Sequence, residues 1–189
     1  MPEPGADAPR GPLTYADYAA LPDDGHRYQL VEGDLVVMPS PNRWHQALVG
    51  KLYASLLRHV EQRGLGQVFV APLDVVLAER VVLQPDVLFV SNECAAIVGD
   101  ANVTGAPDLC VEVLSPGTER LDRTRKLDLY ARHGVSHCWI VDVAARSIEE
   151  YVLAGDVYRV RSVTGNDEVL RPAALAGFEF RLAEVGLPG

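Results

Sequence analysis

The sequence lacks the apolar runs that mark membrane-spanning or secreted chains. None of its uninterrupted apolar runs approaches the roughly 20 residues that a membrane helix requires. The first twelve residues, M-P-E-P-G-A-D-A-P-R-G-P, have no apolar core and do not form a signal peptide. We therefore expect residues 1–12 to form a flexible tail on a cytoplasmic protein that has no membrane partner.

Cysteine is also scarce. The three cysteines, Cys94, Cys110 and Cys138, are an odd number without the spacing of metal ligands. Cys110 and Cys138 lie inside apolar, strand-like runs, so we interpret both as small core residues. A reducing cytoplasm is consistent with this usage.

Positive charge is in deficit, because the chain carries a formal net charge of -9. This weighs against a high-affinity nucleic-acid binder, whose contact surface is usually basic. It does not exclude a metal-dependent nuclease. Clustered carboxylates repel DNA only until a cation neutralises them, and a local basic helix can work on an acidic body.

The chain shows neither internal repeats nor a domain linker, and 48% of its residues are hydrophobic. Residues 13–189 are predicted to form one domain. A strand over 108–114, a helix over 119–132 and a strand over 138–143 predict a βαβ unit with a right-handed crossover. Flanking hairpins at 27–38 and 148–163 predict an α/β fold, with a mixed sheet flanked by helices and hairpins at both ends.

Three local features of the first half are predicted in more detail. The hairpin over 27–38 is expected to turn at Gly33-Asp34. Apolar residues four apart predict a helix from about Arg43 to Arg63. The run 81–90 is interpreted as one strand interrupted at a proline, which would place Asp86 at an edge or bulge.

The most informative stretch is D-L-C-V-E-V-L-S-P-G-T-E-R-L-D-R-T-R-K, residues 108–126. Glu112 stands in an apolar, β-branched run that predicts a core strand. A carboxylate there is costly to desolvate unless a positive group holds it. A salt bridge to an arginine of the next helix is the structural alternative to a functional role. Ser115, Pro116 and Gly117 end the strand, and Thr118 is a plausible N-cap.

Three acids occupy comparable places: Glu32, Asp86 and Glu112. Asp86 and Glu112 on neighbouring strands would bind a hard cation such as Mg²⁺. Such an ion would activate water and polarise a phosphate. Lys126 could reach back from the helix to offset charge on the phosphate, and the backbone carbonyl of Val113 could add a ligand.

Each residue also has a plainer interpretation. Glu32 can be a solvated turn residue, Asp86 can bond backbone donors, and Lys126 can be a surface lysine. Asp108 follows a second Pro-Asp pair and competes with Asp86. It lies four residues before Glu112 on the same strand, about 13 Å away, which is too far to share one ion.

Two further residues are candidate substrate contacts. His45, near the start of the long helix, could contact a phosphate or carry a proton, although a local helix-start bond is the alternative. Arg123 is the other, and both Arg123 and Arg125 compete with Lys126 as the basic residue of the site.

Four segments, in order, carry a resemblance: R-Y-Q-L-V-E-G-D-L-V-V-M-P-S-P-N-R-W-H, Q-P-D-V-L-F-V, A-P-D-L-C-V-E-V-L-S-P-G-T and K-L-D-L-Y-A-R-H-G-V-S-H-C-W-I-V-D. Over roughly Leu13 to Tyr158 the chain resembles the Uma-two family of endonucleases, in the restriction-endonuclease-like class with the PD-(D/E)xK signature. The resemblance implies a mixed sheet flanked by helices and a site that uses Mg²⁺ or Mn²⁺.

The resemblance also implies residue roles. Asp86 and Glu112 become metal ligands, Glu32 an accessory acid and Lys126 the basic residue. One position departs from the general signature, because Leu114 stands where the lysine is expected, two residues after the acid. The family resembled here moves the base to the following helix, which suits Lys126.

The function expected from these observations is metal-dependent hydrolysis of DNA phosphodiester bonds. One alternative is a catalytically silent scaffold of the same fold that binds protein or nucleic acid. Another is hydrolysis of a small nucleotide or other phosphoester at the same site. A homodimer would suit cutting both strands of a duplex.

Overall fold

The structure is a computed structural model that describes residues 11–115, 117 and 119–186. Most of the predicted N-terminal tail and the predicted N-cap Thr118 lie outside the described residues. The helices are α1 (Tyr15–Ala19), α2 (Arg43–Arg63), α3 (Glu119–Leu121) and α4 (Leu127–Arg132), with a π-helical segment (Asp122–Lys126) joining α3 to α4. Short 3₁₀ helices cover Asn92–Ile97 and Leu182–Val185.

The strands are β1 (Arg27–Val31), β2 (Asp34–Met38), β3 (Gly66–Val70), β4 (Asp74–Ala78), β5 (Val81–Leu83), β6 (Val87–Ser91), β7 (Asn102–Thr104), β8 (Leu109–Val113), β9 (His137–Asp142), β10 (Ser147–Ala154) and β11 (Val157–Gly165). They form two mixed sheets, ordered β2-β1-β5-β4-β7 and β11-β10-β9-β8-β6-β3. The α/β class with hairpins at both ends is confirmed. That residues 13–189 form one domain stays a prediction.

The predicted βαβ unit is confirmed. β8 and β9 pair in parallel, with Leu109 opposite His137 and Val113 opposite Val141. α3, the π-helical segment and α4 lie between them in the chain. Parallel pairing requires such a crossover, because a tight turn can join only antiparallel strands. The helix over 119–132 therefore lies beside Glu112 for a topological reason.

Residues 81–90 do not form one interrupted strand, so that prediction was wrong. β5 belongs to the first sheet and β6 to the second, where β6 lies between β3 and β8. The chain crosses between the sheets at Pro85, whose missing N–H suits a break in the ladder. Asp86 consequently precedes an interior strand rather than lying on an edge or a bulge.

The turn of the first hairpin was predicted one residue too late. Val31 pairs with Asp34, so Glu32 and Gly33 form the turn. Their φ angles are 55° and 87°. Positive values at both central positions are typical of a type I′ turn, whose twist matches that of the flanking strands. Glu32 is therefore a turn residue at the tip of the hairpin.

Helix α2 has the predicted bounds, and its ends have clear causes. The Asn42 side chain accepts hydrogen bonds from the backbone N–H groups of Trp44 and His45, and Gly64 ends the helix at a φ of 60°. The buried face, which packs against the second sheet, carries Leu48, Leu52, Leu56 and Val60. Truncating one of these leucines to alanine should cost about 2–5 kcal/mol.

A second core fills the space between the two sheets and the crossover helix. It joins Val31 and Leu83 of the first sheet to Cys110 and Ile140 of the second, with Tyr130 of α4 among them. Both predicted core cysteines, Cys110 and Cys138, are buried. This packing fixes how α4 and the π-helical segment lie against β8.

Candidate active site

The register between β6 and β8 brings the two predicted metal ligands together. These strands are antiparallel, with Val87 opposite Val111 and Leu88 opposite Cys110. Continuing the register by one residue places Asp86 opposite Glu112. Opposite residues of an antiparallel pair face the same side of the sheet, so their side chains are neighbours. The two acids, 26 positions apart in the sequence, thus meet at one end of the pair.

Both acids line a single cleft that encloses about 430 Å³ of space, open solvent included. Its walls come from the first hairpin, the start of α2, the β5–β6 connection, the end of β8 and the π-helical segment. The polar residues on these walls include Gln29, His45, Asp86, Glu112, Asp122 and Lys126. Val113 also lines the cleft. The cleft therefore contains four of the predicted site side chains, those of His45, Asp86, Glu112 and Lys126, and also the predicted backbone ligand, Val113.

Asp86 has two close polar neighbours. Its Oδ2 accepts a hydrogen bond of 2.7 Å from the Val113 backbone N–H. His45 Nε2 lies 3.2 Å from the same oxygen. Asn42 bonds the His45 backbone N–H and thereby fixes the first turn of α2, which points the imidazole at Asp86. His45 therefore lies beside a site acid, and its contact with substrate stays a prediction.

Glu112 is buried, and both of its carboxylate oxygens accept hydrogen bonds. Its Oε2 accepts a bond of 3.0 Å from Lys126 Nζ, and its Oε1 accepts one of 2.6 Å from the Tyr130 hydroxyl. Lys126 is buried as well, and its Nζ also lies 2.8 Å from Asp122 Oδ1. That second contact is a close ion pair rather than a directed hydrogen bond. The alternative of an arginine partner for Glu112 is wrong, because the lysine holds it.

Asp122 and Lys126 both lie in the π-helical segment, and both line the cleft. An extra residue per turn widens this part of the helix and changes which side chains share a face. Asp122 and Lys126 are four residues apart, and Tyr130 follows after four more, all three buried on the side that faces β8. The i, i+4 spacing of Asp122, Lys126 and Tyr130 was the sequence signal that could have revealed Asp122 and Tyr130.

The cleft groups the carboxyl side chains of Asp86, Glu112 and Asp122 with two cationic side chains, Lys126 and Arg27. Burial raises the pKa of Glu112 to about 8; the Lys126 ammonium lowers this pKa, and the carboxylates of Asp122 and Asp86 raise it. Burial opposes the charged form of Lys126, but the charges of Glu112 and Asp122 outweigh it and raise the lysine pKa. A further cation bound among these carboxyl groups would favour their charged forms and lower the pKa of Glu112.

Gln29 is a cleft residue that the sequence analysis missed. It lies on β1, is 2% exposed, and its Oε1 is a buried oxygen with no hydrogen-bond partner among the described residues. A buried amide oxygen without a donor is costly unless a ligand or water completes it. The signal was present in R-Y-Q-L-V, where one polar residue precedes an apolar pair inside a strand.

Glu32 lies elsewhere. Its carboxylate accepts a hydrogen bond of 2.8 Å from Arg132 and lies 3.6 Å from Arg125, and it is not among the residues that line the cleft. The Arg132 bond lowers the pKa of Glu32, although partial burial opposes this. The turn at Glu32-Gly33 holds this side chain beside the arginines of the crossover helix, whereas Gln29 of the same hairpin lines the cleft.

The two arginines that compete with Lys126 as the basic residue of the site form ion pairs outside the cleft. Arg123 donates hydrogen bonds of 2.7 Å to both Glu149 and Asp142. Arg125 lies 3.2 Å from Asp34. Lys126 is therefore the one of the three candidate basic residues that the fold directs into the cleft.

Comparison with known proteins shows the family of this chain. Residues 15–183 match the family model of Uma2, described as "Putative restriction endonuclease". The chain belongs to the Uma2 family. The family supports a nuclease, and the nucleic-acid substrate that this implies fits the resemblance stated above. No curated protein matches the chain.

A solved structure shares the fold of this Uma2 chain. It is described as the crystal structure of a "putative nuclease belonging to DUF820" from Anabaena variabilis ATCC 29413. The two chains are 17% identical, the match covers 92% of this chain and 97% of the other, and the TM-score is 0.77. At this identity the likeness establishes the fold alone. Among the described residues, no helix is long and apolar enough to cross a membrane.

The donor atoms at the Uma2 site suit a hard divalent cation. Asp86, Glu112, Gln29 and the Val113 backbone offer oxygen atoms, and no cysteine lines the cleft. Within the described ranges, no group of three or more His, Cys, Asp or Glu side chains is arranged to hold a metal. An ion here would thus rely on two carboxylates supplemented by amide and backbone oxygens, water and substrate. Magnesium sites that serve phosphate substrates commonly have this composition.

Proposed function

We propose that this Uma2 protein is an endonuclease that hydrolyses DNA phosphodiester bonds with Mg²⁺ or Mn²⁺. The observation that supports it most is the meeting of Asp86 and Glu112 in one cleft, with Lys126 bonded to Glu112. Asp86, Glu112 and the backbone carbonyl of Val113 would hold the ion, and Gln29 Oε1 is a further oxygen beside them. When bound, the cation would polarise the scissile phosphate and lower the pKa of a bound water.

The side chains around the cation have separable tasks. The Lys126 ammonium would offset negative charge that develops on the phosphate, because its raised pKa keeps it protonated. Tyr130 positions Glu112 through the hydroxyl bond to Oε1. His45, next to Asp86 at the cleft mouth, is placed to contact a phosphate oxygen or to accept a proton.

A catalytically silent scaffold is the second candidate, and one observation favours it. Both carboxylate oxygens of Glu112 already have partners, so metal ligation would have to use their remaining lone pairs or displace Lys126. A silent protein would keep this closed Glu112–Lys126 pair and bind no divalent cation. A homodimer, which would suit duplex cleavage, stays a prediction.

The test is cleavage of supercoiled plasmid and linear duplex DNA with Mg²⁺ or Mn²⁺. Asp86→Asn should lower the rate at least about a hundredfold, because ion-mediated stabilisation amounts to several kcal/mol. The matched control is Asp108→Asn, since Asp108 also follows a proline and also accepts a backbone N–H, at 2.7 Å from Ser91. It should cut within about twofold of the parent.

Equal rates for Asp86→Asn and the parent would refute the metal site as drawn. Absence of cleavage with either ion, together with absence of Mg²⁺ binding, would favour the silent scaffold. Cleavage of a small nucleotide ester but not of DNA would keep the site and change the substrate.

A further inference from the structure

The exposed face of α2 concentrates positive charge in an acidic protein. The helix carries four cationic side chains, Arg43, Lys51, Arg58 and Arg63, and all four are exposed. Its single acid is Glu61. The chain as a whole has 17 Lys and Arg against 26 Asp and Glu. This helix therefore reverses the charge balance of the rest of the molecule.

These cations have no ion pairs within the part of the chain that the structure describes. Arg123, Arg125, Lys126, Arg132, Arg161 and Arg171, in contrast, are each paired with at least one carboxylate. Arg43 stacks its guanidinium 4.3 Å from the centre of the Trp44 ring. The α2 cations thus contribute little to the fold and remain available to an anionic partner.

The cations at the middle of the helix form one stripe. Trp44, Lys51, Ser55, Arg58 and Gln62 follow one another at intervals of seven, four, three and four residues, which places them on one face. Lys51 and Arg58 are separated by two helical turns, about 10.5 Å. B-DNA carries a phosphate for about every 3.4 Å of axis on each strand, so this interval spans about three phosphates.

The neighbourhood of the stripe favours an extended polyanion over a small ion. The grooves beside Ser55 and Arg58 are closed on the far side by the segment that carries Glu179 and Glu184. An isolated phosphate inside those grooves would meet carboxylates. Lys51 and Arg58 are exposed, so a strand of phosphates lying along the helix could contact both cations from outside those grooves.

The stripe also leads to the cleft. Trp44 immediately precedes His45, whose ring contacts Asp86. We propose that the face of α2 formed by Arg43, Trp44, Lys51 and Arg58 docks the backbone of duplex DNA and thereby delivers one phosphate to the Asp86–Glu112 cleft. This inference rests on the proposed function. Because the rest of the surface is acidic, the same charge distribution would orient the duplex along α2.

Binding measurements can separate this docking surface from catalysis. All variants are made in the Asp86→Asn background, which is not expected to cut, and a fluorescent duplex of about 20 base pairs is titrated by anisotropy at several salt concentrations. Lys51→Ala/Arg58→Ala should weaken binding at least about tenfold. It should also reduce the slope of log affinity against log salt by about 1.8, because two phosphate contacts are lost.

The control is Arg80→Ala/Arg159→Ala, which removes the same charge from two exposed arginines outside α2 that form no ion pair among the described residues. It should change the affinity less than twofold, and thermal unfolding should show both double variants folded. Duplex binding that is equal in the two double variants overturns the α2 surface while leaving the nuclease proposal intact. The same two substitutions are also made in the protein that keeps Asp86, and an unchanged KM for DNA cleavage by that variant would also overturn the α2 surface. A parent that binds no duplex overturns both the surface and the DNA substrate.

Discussion

The two Pro-Asp pairs of this protein look alike in sequence and lie in different surroundings. Asp86 and Asp108 each stand immediately before a strand of the second sheet, and each accepts a backbone N–H at 2.7 Å. β6 and β8 run antiparallel, so the starts of these strands lie at opposite ends of the pair. At one end Asp86 meets Glu112, while at the other Asp108 lies near Ser91 and Cys94. A Pro-Asp pair therefore becomes part of a candidate site only where the neighbouring strand brings a second acid beside its aspartate.

The largest expected difference between the two ends concerns the buried cluster of Glu112, Lys126 and Asp122, which lies at the Asp86 end. Lys126→Met should lower the free energy of unfolding by about 3–5 kcal/mol, because it leaves two buried carboxyl groups without their cation. The control is Lys51→Met, an exposed lysine, which should change it by less than about 0.5 kcal/mol. Urea unfolding measures both. A loss below about 1 kcal/mol for Lys126→Met would contradict the buried pair.

The next difference is in cation binding. Asp86→Asn should weaken Mg²⁺ or Mn²⁺ binding at least about a hundredfold in calorimetric titration, equivalent to about 2.7 kcal/mol. Asp108→Asn should bind as the parent does, because its carboxylate faces no second acid of the cleft. Equal weakening by both substitutions would indicate a non-specific charge effect instead of a site.

The next effect, at most about 1.4 kcal/mol per pH unit, should appear in the pH dependence of stability without metal. The folded pKa of Glu112, about 8, lies above the ordinary value of 4.5, so the folded protein keeps a proton that the unfolded chain releases. The stability contribution is complete below pH 4.5 and is lost as the pH rises towards 8. Relative to Glu112→Gln, the wild type should lose up to about 1.4 kcal/mol per pH unit in that window. Parallel curves, recorded in a chelator, would refute the raised pKa.

The smallest expected effect is on the free energy of unfolding when either aspartate is replaced by asparagine. Asp108→Asn should cost about 1 kcal/mol in the absence of metal, because a charge-assisted bond to the Ser91 N–H becomes neutral. Asp86→Asn should cost less, since it also relieves repulsion with Glu112. Chemical unfolding in a chelator measures the pair, and a larger loss for Asp86→Asn would show that repulsion is not what distinguishes the cleft.

The parts of the fold that depend on neighbours in sequence were predictable. Helix α2 has its predicted ends because Asn42 and Gly64 supply local caps. Glu112 was identified because one acid interrupts an apolar strand, and the same reasoning applied to Gln29 would have found it. The turn at Glu32-Gly33 was predicted one residue too late. Glu32, which was expected to be a site acid, is instead a partner of Arg132.

The sequence by itself determined which strands are buried, where α2 begins and ends, and that Glu112 needs a cationic partner, because periodicity and caps act over a few residues. Only the tertiary structure decided that Asp86 stands opposite Glu112, that the strands divide into two sheets, and that Asp122 and Lys126 both face the cleft. Those outcomes depend on strand pairing and packing between distant segments, where a difference of one residue in register changes which side chains meet.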